Sequence, residues 1–65
     1  MINTSWMKVW WIAYNKKLFE GDLPMPAFKV SDIGHCGEYD YHAITLSSRI
    51  TTLDAAKATL LHEMV

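Results

Sequence analysis

Three features of the chain predict an α+β fold. An aromatic-rich helical segment opens it, short runs of strand-like alternation occupy the middle, and a second helical segment closes it. The expected order is an N-terminal helix, a short antiparallel or mixed sheet of two to three strands, and a C-terminal helix. Sixty-five residues make at most one domain, and a chain of this size buries only about 60% of its unfolded surface. At 51% hydrophobic and 20% charged residues, with three Trp and three Tyr, the composition is globular and not disordered. The apolar content is high for so short a chain, which fits residues 1–65 as a single partial domain, a piece of a larger unit.

The first helix is expected to be capped by Asn3, Thr4 or Ser5 and to run to Phe19 or Glu20, with Gly21 as the stop. Trp6, Val9, Trp10, Ala13 and Tyr14 recur at three- and four-residue steps and define the expected buried face, with Ile12 and Phe19 on an adjacent stripe. Lys16 and Lys17 fall in the last turn, where cations favour the helix dipole. Pro24 and Pro26 each hold the preceding residue extended and together remove two donors, so residues 21–26 read as a reversal. Residues 27–33 alternate Phe28 and Val30 against Lys29 and Ser31, the period of a half-buried strand. Gly34 and Gly37 bracket a bulge or tight connection. Residues 38–41 are expected as a second strand or a wide loop. Residues 41–48 form a firmer strand, with Ile44 and Leu46 on one side and Thr45 and Ser47 on the other. Thr51 or Thr52 caps the last helix, and Asp54 sits in its first turn, where a carboxylate is favoured. Leu53, Ala56, Leu60 and Met64 form its main stripe, with Leu61 and Val65 beside it. No glycine, asparagine or proline ends this helix before the last residue, so the sequence reads as interrupted, with an apolar patch of Leu60, Leu61, Met64 and Val65 left exposed.

Charge and composition exclude several function classes for the chain by itself. Six basic and seven acidic residues give a net charge of -1, too little field to draw in nucleic acid or an anionic membrane. Cys36 is the only cysteine, so no internal disulfide forms and an intracellular, cytoplasmic setting is expected. Residues 1–13 do not read as a targeting signal: Lys8 interrupts them, no basic region precedes them and no small-residue cleavage site closes them. No apolar run has the length of a membrane span.

The chemistry concentrates in His62-Glu63-Met64-Val65. One further residue, if histidine, would complete HExxH, in which two histidines one helical turn apart hold Zn²⁺ and the glutamate acts as general base. Residues at i and i+4 share a helix face, so both imidazoles reach one ion while the glutamate reaches a water on its open side. By itself a His-Glu pair is also what a solvated helix surface carries. His62 and Glu63 are the only ionisable side chains after Lys57 and are flanked by Leu60-Leu61 and Met64-Val65. That setting predicts a buried pair compensated by metal or hydrogen bonds.

Asn15, Leu18-Phe19, Leu23-Pro24, the Gly37 region, the strand Ile44-Thr45-Leu46-Ser47 and the run Thr59-Leu60-Leu61-His62-Glu63-Met64 together resemble the N-terminal half of the SprT-like zinc metallopeptidases, the group that includes Spartan-type proteases of DNA-protein crosslinks. The similarity covers residues 15–65. It implies a partial zincin-like domain whose sheet edge aligns an extended peptide and whose last helix carries the active site. By position, His62 would be a zinc ligand and Glu63 the catalytic glutamate, while the second and third ligands fall after Val65. The implied cofactor is Zn and the implied substrate a peptide or protein. DNA association, with nucleoid or nuclear location, is implied by the resemblance alone. The isolated chain is expected to be inactive and to self-associate or bind a complementing C-terminal segment. The competing reading is a noncatalytic small binding or inhibitory protein. A separate metal site built from His35, Cys36 and His42, with or without His62, has the right ligand types but lacks a second close pair. Glu38 and Asp40 read as solvated edge-strand groups, and Glu20 with Asp22 as turn features.

Overall fold

The computed structural model describes residues 2–40 and 42–65; the expected strand start at Tyr41 lies outside them. Its elements are α1 (Thr4–Phe19), β1 (Ala27–Ser31), β2 (Gly37–Asp40), β3 (Ala43–Ser47) and α2 (Leu53–Met64). The architecture is α+β, with both helices packed on one face of a three-stranded mixed sheet.

Local signals set the helix ends. The Asn3 side chain accepts a hydrogen bond from the Trp6 amide at 2.8 Å, and Thr52 Oγ1 accepts one from the Ala55 amide at 3.1 Å. Each oxygen satisfies an amide that the first turn leaves without a partner. At the end of α1, Glu20 takes the left-handed conformation (φ 56°) and Gly21 comes next (φ 77°). The Gly21 amide then donates to the Asn15 carbonyl, six residues back, at 2.9 Å and closes the helix end. The left-handed position is thus taken first by Glu20, one residue ahead of the expected glycine.

The sheet order is β1-β3-β2, with β1 parallel and β2 antiparallel to β3. β2 and β3 form a hairpin, Asp40 pairing with Ala43 across a turn in which His42 has φ 63°. The chain therefore leaves β1, passes to the far edge as β2, and returns through the centre as β3. Register puts Phe28 beside Ile44 and Val30 beside Leu46, so one face of the sheet is apolar. Ile44 and Leu46 are buried beneath Met7 and Trp11 of α1 and Ala56, Leu60 and Met64 of α2, with Ile2 closing the cluster. Trp11 also meets Phe28 edge-on, with ring centroids 6.1 Å apart, a favourable aromatic geometry. Thr45 and Ser47 alternate to the opposite face, where Thr45 stands in register between Lys29 and Glu38. As residues of the central strand they are nevertheless buried.

Two stripes differ from expectation. In α1 the fully packed residues are Met7, Trp11 and Asn15. Trp6, Trp10 and Tyr14 are half-buried alongside them, while Val9 (64% exposed), Ile12 and Ala13 face out. The helix is apolar around most of its circumference, so several rotations satisfy the same periodicity, and contact with the sheet chooses one. In α2, Ala56, Leu60 and Met64 pack inward as expected, but Leu53 in the first turn is 50% exposed. The anticipated apolar patch at the end of α2 is also revised. Leu60 and Met64 belong to the core, Leu61 is half-buried and only Val65 is open, at 92%.

Gly37 explains how closely α2 approaches the sheet. A β-carbon there would lie 2.7 Å from Thr59 Cγ2 of α2 and 3.2 Å from Leu46 Cδ2. Only a residue without a side chain admits the helix at this distance.

Candidate functional site

His62 and Glu63 occupy the last turn of α2, and the register of that helix places them. With Ala56, Leu60 and Met64 turned into the core, residue 62 points outward and residue 63 sits at the margin. His62 is exposed and Glu63 half-buried. The expectation of a buried pair is therefore corrected: the flanking Leu60 and Met64 bury themselves against the sheet, and Leu61 and Val65 do not enclose the ionisable residues. Neither side chain makes a hydrogen bond or an ion pair among the described residues.

Two hollows meet at this pair. The first, about 380 Å³, lies between the end of α2, the β2 edge and the segment after α1. Its floor is Trp11, Ile44 and Met64, and its walls include Leu23, Pro24 and Pro26 on one side and Tyr39 on another. The second, about 360 Å³, runs along the other flank of the pair, between Cys36 and Gly37 of the sheet edge and Ala58 and Thr59 of α2. Glu63 and His62 line both.

The wall of the first hollow is held by Asn15. Its side-chain nitrogen donates to the Leu23 carbonyl at 3.1 Å, and its side-chain oxygen accepts from the Leu23 amide at 3.1 Å. Asn15 is only 7% exposed, and this two-way pairing satisfies an amide that would be costly to bury alone. Pro24 and Pro26 stiffen the chain between Leu23 and β1. The sequence announced this part only faintly, through an asparagine four residues after Trp11, on the stripe that Met7 and Trp11 define. Tyr39 carried no signal as a site residue, because its place beside Glu63 arises from the position of β2 in the sheet.

The other candidate ligands do not converge. His35 Nε2 lies 3.2 Å from Glu38 Oε2 on the exposed end of the β2 edge. His42 sits in the hairpin turn at the opposite end of β2, with its Nδ1 3.4 Å from the Tyr39 hydroxyl. Cys36 is an exposed free thiol. Among the described residues no three His, Cys, Asp or Glu side chains are grouped so as to hold a metal ion. His62 is a sterically open single donor, and one donor does not make a zinc site, which takes three or four. The described residues therefore do not by themselves fit the zinc that the motif implies. Glu38 and Asp40 are exposed on the edge strand, and Glu20 with Asp22 belongs to the helix stop and turn, as expected. No described helix is long and apolar enough to cross a membrane.

Comparison with protein-family models, with curated proteins and with solved structures finds no significant match to this chain.

Proposed function

We propose that this chain is the N-terminal portion of an SprT-like zinc endopeptidase, with His62 as the first metal ligand and Glu63 as the general base. One observation carries the reading: both side chains stand on the outward margin of α2, at the mouth of a cleft bounded by the edge strand β2. A glutamate in that place is free to take a proton from a water attacking a peptide carbonyl. The position four residues after His62 returns to the same helix face, so the residue after Val65 is where a second imidazole would be supplied. The remaining ligands, the protein substrate and any association with DNA belong to the parent. The 65-residue chain alone is expected to be inactive and to pair with its complementing C-terminal segment; with Leu60 and Met64 in the core, the apolar patch that suggested self-association is reduced to Val65.

The decisive experiment is to read the source open reading frame past Val65. Histidine at the next codon and a further histidine downstream are expected; any other residue there, or a stop codon, refutes the assignment. The exposure of His62 favours, as the second reading, a noncatalytic binding or inhibitory protein that uses this helix surface, and a stop after Val65 would favour it over the first. Zinc titration of the 65-residue chain against a competing indicator is expected to show weak binding. Tight one-to-one binding that is lost in Cys36→Ser or His42→Ala would instead locate a metal centre in the β2 hairpin.

A further inference from the structure

We infer that the cleft beside Glu63 is a side-chain pocket selecting a bulky apolar residue, aromatic or leucine-like, in the peptide that the site receives. The inference rests on the peptidase reading for its biological sense, but its physical basis is separate. At about 380 Å³ the cleft falls at the small end of ligand sites, enough for one large side chain with its flanking backbone. Its floor is made of Trp11, Ile44 and Met64, all belonging to the buried core. Leu23, Pro24 and Pro26 add a rigid apolar wall. Polar chemistry is confined to the backbone, the Tyr39 hydroxyl and the His62-Glu63 pair. An acidic side chain entering this space would lose its hydration against an apolar floor and would also meet the Glu63 carboxylate. A phenyl or isobutyl group would instead cover apolar surface now open to water.

Continuity with the candidate catalytic residue decides the occupant. Whatever side chain fills the cleft holds its own backbone next to Glu63, so the preference becomes a choice of which peptide bond is presented. Asn15 acts here as a positioning residue: it touches no substrate, and its two bonds to Leu23 hold the proline wall at a set distance from α2.

The test uses isotopically labelled 65-residue chain and three small probes: the N-acetyl methylamides of phenylalanine, leucine and aspartate. Phenylalanine and leucine probes are expected to shift the Ile44, Met64 and Val65 methyl signals and the Tyr39 ring signals saturably, with at least about tenfold tighter binding than the aspartate probe. Tyr39→Ser should weaken the phenylalanine probe about fivefold by removing one wall. Val65→Asp, at a position open to solvent, should weaken it without disturbing the dispersion of the spectrum. Equal response to phenylalanine and aspartate, shifts mapping away from this cleft, or no response to any probe from a folded chain overturns the inference. The readout needs neither zinc nor turnover. A residue other than histidine after Val65 would defeat the peptidase reading and leave the probe preference standing, and absence of binding would defeat the pocket whatever that residue is.

Discussion

Substituting Gly37 by alanine tests how the candidate site is held against the sheet. The added methyl group would meet Thr59 Cγ2 at 2.7 Å, well inside the ordinary contact range that begins at 3.4 Å. Thr59 does not turn aside freely, because its hydroxyl donates to the Ala55 carbonyl at 2.8 Å and fixes the rotamer. Leu46 Cδ2 at 3.2 Å and the Thr45 carbonyl at 3.3 Å limit escape in other directions. Overpacking of this kind costs about 1–3 kcal/mol, offset by roughly 0.5–1 kcal/mol because alanine restricts the unfolded chain more than glycine does. A net loss of about 1–2 kcal/mol is expected, a large share of the roughly 3–10 kcal/mol available to a chain of this length. Thr59→Ser removes Cγ2 while keeping the hydroxyl bond, and by itself should cost only about 0.5 kcal/mol for one half-buried methyl group. The double variant should then recover much of the alanine penalty, with a coupling of about 1 kcal/mol. Urea denaturation monitored by circular dichroism measures all four proteins of the cycle. Additivity within about 0.3 kcal/mol would show that α2 does not approach β2 as described, and with it that the site's distance from the sheet edge is misplaced.

Two adjacent leucines separate the core from its margin. Leu60→Ala, at 0% exposure, should cost about 2–5 kcal/mol and leave much of the chain unfolded, while Leu61→Ala, half-buried, should cost about 1 kcal/mol. Urea midpoints in the reverse order would mean that α2 is rotated by one residue. Asn15→Ala should cost about 1–3 kcal/mol, since it leaves the Leu23 amide and carbonyl without their partner. Limited proteolysis should then cut faster within residues 21–26, and a thermal midpoint and cleavage rate equal to those of the parent chain would show that the clamp does not hold the loop.

Local chemistry made much of this fold legible in advance. Asn3 and Thr52 act as caps because a side-chain oxygen next to free amides needs no distant partner, and the Gly21 stop and the period of Phe28 and Val30 are equally local. The placing of His62 and Glu63 on a helix is readable in the same way, since a helix of 3.6 residues per turn sets its faces from the chain alone. Rotation and order were not readable. An α1 apolar around most of its girth does not declare its inner face, and the choice of Met7, Trp11 and Asn15 over Val9 and Ala13 is made by the sheet below and by the bonds from Asn15 to Leu23. The exposure of His62 likewise depends on Leu60 and Met64 turning inward together. The cleft itself combines residues as far apart as Trp11, Pro26, Tyr39 and Glu63. Their meeting depends on β3 inserting between β1 and β2, a nonlocal pairing that composition and periodicity do not encode. The sequence by itself determined the two helices with their caps and the presence of strands between them, because those are set by short-range bonding, while strand ends such as that of β1 at Ser31, two residues before the expected Ile33, follow the pairing with β3. Tertiary structure alone decided which face each helix buries and what surrounds Glu63, because those depend on contacts between segments distant along the chain.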